Sequence, residues 1–268
     1  MSKKAQKVYR KAVARHLKPY HANWLPGDPR QLGDYGVLDN GIFIPKGNIR
    51  NLGISFDTIE DPNLDQHTFL AGKDVNLEFN AAGTVPGVAN ASAKVKMKNA
   101  WSVFFHAIGG NSSRVKNKVE LEAQILDFYR NNRDRWKRRY VVVTDLIEAG
   151  RTIVAVSSSS NAEIIVEAKG EADIFIDLQD SSIEIKLGSS SNVGYQIIGD
   201  SGMDVLLGFS RIHRKDLRPA SEVMPSTIGH NRLLRRVKDD EDLFPTEPED
   251  LYFGQFIADL NDDFDAEF

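Results

Sequence analysis

The chain has 268 residues, 41% of them hydrophobic, with no cysteine and a formal charge of −4 at pH 7. That length supports one large domain or a main domain with a small appendage, and the missing cysteine excludes disulfides, thiolate metal sites, cysteine nucleophiles and thioether lipidation. The charge is unevenly placed: residues 239–268 hold 12 acidic and no basic side chains, which leaves residues 1–238 at +8, so body and C-terminal region should attract each other.

The N-terminal residues have no apolar run of the signal-peptide kind, and no segment approaches the roughly 18–20 apolar residues of a membrane-spanning helix, so a cytoplasmic protein is expected. Lys3 to Lys18 reads as a helix that ends at Pro19, because Ala5, Val8, Tyr9, Ala12, Val13, His16 and Leu17 recur at helical spacing. Its other face carries Lys3, Lys4, Lys7, Arg10, Lys11, Arg15 and Lys18 without an acid. Such a helix either lies on an anionic surface or docks its apolar face on the domain.

From Trp24 to Ile54, Asn40-Gly41 between Val37-Leu38 and Ile42-Phe43 predicts a hairpin with a type I′ turn, followed by a second turn at Lys46-Gly47-Asn48. Strands are expected at Asp74–Asn80 and Ala93–Met97, and Trp101–Ile108 is apolar enough for the core. Val119–Trp136 has helical spacing and should end near Asn131-Asn132 or at the basic cluster Arg135, Lys137, Arg138 and Arg139.

A β-branched strand closed by Gly150 follows, and then three two-periodic segments around 162–168, 173–178 and 183–187, with Glu163 and Glu167 on a polar face. Ser-rich turns, SSSSN, QDSS and GSSSN, join them, which predicts an antiparallel meander.

Pro219 and Pro225 mark a linker, so the chain divides into a β-rich main domain (1–215), a linker with a basic segment (216–238) and an acidic tail (239–268). The tail holds too many large apolar residues for a solvating segment. Its Tyr252, Phe253, Phe256, Ile257 and Leu260 would share one face of a helix, so a docking element is expected, although Gly254 weakens the helix. The fold class is therefore α+β: a twisted, mainly antiparallel sheet with a basic N-terminal helix and a few packed helices.

Catalytic signatures are missing: no phosphate loop, nucleophile elbow or zinc-helix motif occurs. The six histidines are scattered, and the Ser113/Lys116 spacing lies in a low-complexity stretch. No enzymatic role, metal or cofactor is expected. The basic body could meet phosphates, with Trp136 and Tyr140 to stack bases, but no nucleic-acid motif is present and that reading is minor.

The stretch RNNRDRWKRRYVVVTDLIEAGRTIVAV resembles the gasdermin family of pore-forming proteins, in which a helix leads into a strand with a Val-Val-Thr-Glu core and a second strand follows a short turn. Val142, Val143 and Thr144 match that core, and Asp145 stands where the family usually has Glu. AKGEADIFIDLQDSSIEIKLGSSSNVGYQI is similar to the family's paired strands near the end of its pore-forming domain, and the basic opening helix is similar too.

The chain departs from the family in lacking the lipidated cysteine of many microbial members and the large helical inhibitory domain of animal members. The resemblance implies lipid contact through the basic residues named above, in the helix and in the Arg135–Arg139 cluster. It further implies autoinhibition by the tail, an activating protease and homo-oligomerisation into a barrel at anionic membranes. The alternative is a cytoplasmic β-rich interaction module with an acidic docking tail. Strand alternation does not choose between them, since any sheet with one wet face shows it.

Overall fold

The computed structural model describes residues 3–24, 28–62, 67–71, 75–80, 92–168, 185–199, 202–214 and 251–256. In chain order these form helix α1 (Lys3–His16), β1 (His21–Ala22), β2 (Asp34–Asp39), β3 (Ile42–Asn48), β4 (Thr58–Asp61), β5 (His67–Ala71), β6 (Val75–Asn80), β7 (Ser92–Met97) and β8 (Val103–Val115). Helix α2 (Lys118–Asn131) follows, then β9 (Val141–Ser157), β10 (Ala162–Ala168), β11 (Ile185–Ser191), β12 (Val193–Gly199), β13 (Met203–Arg214) and β14 (Leu251–Phe256). The architecture is α+β, mostly antiparallel strands with two helices.

The spine is β9. Along one edge it pairs β8 and the start of β2; along the other it pairs β13 and β12. β8 carries β4 and β5 on its far side, while β13 carries β1 and β14. A second sheet of order β11-β10-β7-β6 packs on this one, with Val95, Met97, Ile164 and Val166 meeting Phe104, Ile153 and Ala155.

The hairpin turn is type I′ as expected, with Asn40 at φ 47° and Gly41 at φ 70°. The second turn falls later than predicted. Lys46, Gly47 and Asn48 lie in β3, and a short 3-10 helix, Ile49–Leu52, makes the reversal. Asn48 caps it by accepting the Arg50 N–H at 3.0 Å, and Gly53 ends it at φ 82°.

Gly36 in β2 is a point of close approach, since a Cβ there would lie 2.9 Å from the Cα of Pro45 and collide with the Ile44 carbonyl. Gly36→Ala is therefore expected to cost about 1–3 kcal/mol by overpacking against backbone that cannot yield, read as a lower urea midpoint.

Three expectations for the middle of the chain are corrected. β9 does not close at Gly150 but runs through it, and a Cβ added at Gly150 would make only ordinary contact, 3.5 Å from the Gly109 carbonyl carbon of β8. The glycine lies inside a long strand rather than at a turn, and the tight point of this ladder is Gly110 of β8, at φ 102°, where a Cβ would collide with the Glu148 carbonyl. The strands do not form a simple meander: β10 leaves β9 to pair with β7, β11 follows it, and β12 returns to β9. Within GSSSN, Gly188–Ser191 belong to β11 and only Asn192, at φ 55°, makes the turn, because the β10 backbone supplies these serines with ladder partners.

Glu163 bonds to Lys94 at 2.8 Å while Glu167 is buried, so the two acids do not share a wet face. The expected segment around 173–178 lies outside the described residues.

Candidate functional site

The basic helix docks. Ala5, Val8, Tyr9, Ala12 and Val13 are buried against Val103, Phe105, Val154, Val156, Val205 and Leu206. Tyr9 stacks on Phe105 at 6.2 Å, and Tyr195 lies 6.1 Å away. Burial, and after it the neighbouring Tyr195, push the Tyr9 hydroxyl well above the usual tyrosine range. Trp24 and Tyr195 complete this anchor, stacked at 4.1 Å with the Tyr195 hydroxyl donating to the Trp24 carbonyl at 2.8 Å.

Lys3, Lys4, Lys7, Arg15 and Lys18 stay exposed, with the Lys4 ammonium over the Trp101 ring at 4.5 Å. Arg10 and Lys11 are half-buried. Desolvation first, then Lys7 and Arg15, lower the Lys11 pKa. Arg10 turns toward Gly41 at the tip of the β2–β3 hairpin, so it braces two elements.

The second basic group follows α2. Asn117 caps that helix by accepting the Glu120 N–H at 3.2 Å, and Leu121, Ile125, Leu126 and Tyr129 form its buried face. Arg135 lies over Phe128 at 5.7 Å, and the Lys137 Nζ donates to the Arg133 carbonyl at 3.2 Å. Arg139 is exposed, whereas Arg138 is only 7% exposed and does not present its charge to the surface with the others. The two groups rest on different clusters, α1 on the one around Phe105 and α2 on the one around Trp136.

The C-terminal strand is the point where distant parts of the chain converge. β14 is a strand and not the helix that the spacing of its apolar residues suggested. It runs antiparallel to β13, from Leu251 opposite Arg214 to Phe256 opposite Phe209. Because strand side chains alternate, Leu251 and Phe253 are buried with Ile125, Trp136 and Ile212, while Tyr252 is 40% exposed. The unpaired edge of β13 decides this, for β14 supplies the ladder that β1 covers only at Leu206 and Leu207. Ile257 and Leu260 lie outside the described residues, as do residues 216–238.

Four side chains that spacing could not single out hold β14. Glu122 of α2 accepts the Phe253 N–H at 3.1 Å. His213 stacks on Tyr252 at 5.0 Å, and the Arg211 guanidinium sits over Phe256 at 4.3 Å. His21 of β1 stacks on Phe256 at 5.5 Å, meets Phe209 edge-on at 5.1 Å and lies 3.4 Å from the Phe256 carbonyl. Burial is the main cause that lowers the His21 pKa from 6.5 to about 4, the carbonyl opposing and Arg10 adding to the shift. His21 and Phe256 are separated by most of the chain, and no local pattern could have paired them.

Beside Phe256 a cleft of about 440 Å³ is lined by Leu38, Ile44, Val141, Arg139 and Arg211 among others. Among the described residues no group of His, Asp or Glu could hold a metal ion, and no helix is long and apolar enough to cross a membrane.

No protein-family model and no curated protein sequence matches the chain. Among solved structures, the chain is similar to a bacterial gasdermin from Bradyrhizobium tropiciagri, at 14% identity over 78% of this chain and 88% of that chain, with a TM-score of 0.35. A score of that size marks a distant likeness and carries no assignment of function.

Proposed function

We propose that this protein is a latent membrane pore former, without catalytic activity, that is held inactive by its C-terminal region and released when that region is cut away. The observation that carries this reading is β14: a strand from the acidic end of the chain completes the edge of β13 and buries Leu251 and Phe253 beneath α2. The strand belongs to a segment of charge −12, and the rest of the chain has charge +8.

Loss of the segment would expose a sheet edge and unmask the basic surface together. Each Lys or Arg near an anionic membrane then contributes about 1 kcal/mol. The apolar face of α1 is already in use, so contact through the docked helix would be electrostatic, by Lys3, Lys7 and Arg15. Released chains would pair edges with one another, because an open strand edge is not tolerated in lipid.

The test is to place a cleavage site for an added protease within residues 216–238, cut the folded full-length protein, and follow dye leakage from vesicles. Cleavage is expected to start leakage from anionic vesicles and not from zwitterionic ones. Charge reversal at Lys3, Lys7 and Arg15 is expected to reduce it severalfold. A cleaved, folded protein that loses the tail and leaves anionic vesicles sealed would overturn the proposal.

A second reading is favoured by the same strand edge, since β13 without β14 would accept an extended peptide from a partner protein. Silent vesicles together with partner-strand binding would select that reading.

A further inference from the structure

We propose that the seam joining β1, β13 and β14 is an acid-labile latch, in which protonation of His21 displaces Phe256 and releases the C-terminal strand from the sheet. Its biological meaning rests on the reading of β14 as a restraint, but the latch itself is a property of the fold.

The geometry is that of a neutral histidine used as an aromatic spacer. The His21 ring lies nearly parallel to Phe256, at an interplanar angle of 12°, and edge-on to Phe209. It therefore ties the N-terminal strand to the C-terminal one along one edge of β13, where β1 pairs at Leu206 and Leu207 and the β14 ladder begins at Phe209.

The groups around it would not welcome a second charge. From α1 comes Arg10, the ionisable group whose charge reaches the ring. From β13 come Phe209 and the Arg211 guanidinium, which already occupies the Phe256 ring at 4.3 Å. From β14 come the Phe256 ring and its carbonyl, which attract an imidazolium, but burial outweighs that attraction. An imidazolium at this position would be buried within reach of the Arg10 charge with one carbonyl to bond. Opening the seam moves it into water, and the segment most easily lost is the six-residue edge strand rather than the spine.

The sign follows from linkage. A histidine with folded pKa about 4 and open-state pKa 6.5 stays neutral in the closed seam while the open seam gains a proton below pH 6.5. The open form is therefore favoured progressively as pH falls from about 6.5 to about 4, and the shift reaches about thirtyfold near pH 5.

The experiment is hydrogen exchange of the β14 amides in the full-length protein at about pH 7.5 and about pH 5, with rates corrected for the intrinsic pH dependence of exchange. Protection of residues 251–256 is expected to fall by about thirtyfold while the amides shared by β8 and β9 stay protected. His21→Phe, which keeps the stacking and cannot protonate, is expected to abolish the fall, and His213→Gln to leave it in place. The same fall in His21→Phe, or none in the unaltered protein, would overturn the latch.

If His21→Phe does not fold, His21→Leu takes its place, and the ring titration of His21 in the unaltered protein decides independently: strand release that tracks another histidine also overturns the proposal. No membrane enters the measurement, so a failed latch leaves the pore-forming reading standing, and silent vesicles leave the latch standing.

Discussion

Replacing Trp136 by alanine is expected to destabilise the protein by about 3–5 kcal/mol, the largest loss of any single substitution considered, read as a fall in the urea midpoint. Trp136 is 1% exposed and is shared by β2, α2 and the segment leading into β9. Its ring stacks on Tyr35 of β2 at 5.1 Å and meets Phe128 of α2 at 6.0 Å and Tyr140 at 5.8 Å. The cluster it belongs to also contains Leu251 and Phe253 of β14. An alanine would leave a void among aromatic rings fixed by the β9 sheet and helix α2, so collapse cannot refill it.

Trp136→Phe separates packing from polarity. The indole Nε1 is buried without a hydrogen-bond partner among the described residues, so the phenyl ring removes an unsatisfied donor while it keeps most of the volume. Its cost is expected to be well under half that of alanine. Equal costs for the two variants would show that the shape of the indole, rather than its bulk, holds the cluster.

Phe253→Ala is expected to free the C-terminal strand without unfolding the body. Phe253 is 6% exposed, and its side chain is the larger of the two that β14 buries under α2. Its loss removes about 3 kcal/mol, a factor of about 10² in the population of the detached strand. That appears as a drop of this size in hydrogen-exchange protection of residues 251–256, with the amides shared by β9 and β13 before Phe209 unchanged.

Tyr252→Ala is the control, because Tyr252 is half-exposed and meets mainly His213 and the solvent, so a loss below about 1 kcal/mol is expected. Under the proposed function, Phe253→Ala would also leak anionic vesicles without cleavage. Unchanged protection in Phe253→Ala would mean that the ladder to β13, and not the apolar contact, carries the attachment.

These two substitutions bear on opposite ends of what local pattern reveals. The helix and the apolar face of α1 were legible because Val8, Tyr9, Ala12 and Val13 repeat at 3.6-residue spacing, but that this face docks on the sheet rather than on an anionic surface was decided by the tertiary structure. The I′ hairpin was legible in Asn40-Gly41, since few pairs accept positive φ at both positions. α2 ends at Asn131, the first of the two places that the sequence offered.

β14 was not legible as a strand. Tyr252, Phe253 and Phe256 fit a helical face as well as a pleated one, and the arbiter was the empty edge of β13, which lies far away in the chain. Gly150 gives β9 an apparent end, because a glycine inside a long strand looks, from the sequence, like a glycine that turns.

What the sequence determined by itself is therefore the local chemistry: an α+β chain without cysteine or catalytic motifs, a basic helix with one apolar face, and an acidic C-terminal region rich in large apolar residues. What only the tertiary structure decided is which of these features meet. His21, Phe209 and Phe256 become neighbours solely through the pairing of β1 and β14 along β13, and Arg138 loses its place at the surface through the packing around it. The physical reason is that helical and strand periods are set by neighbours within a few residues, whereas an edge ladder, a buried histidine and a cluster such as that of Trp136 are set by contacts whose partners lie in distant parts of the chain.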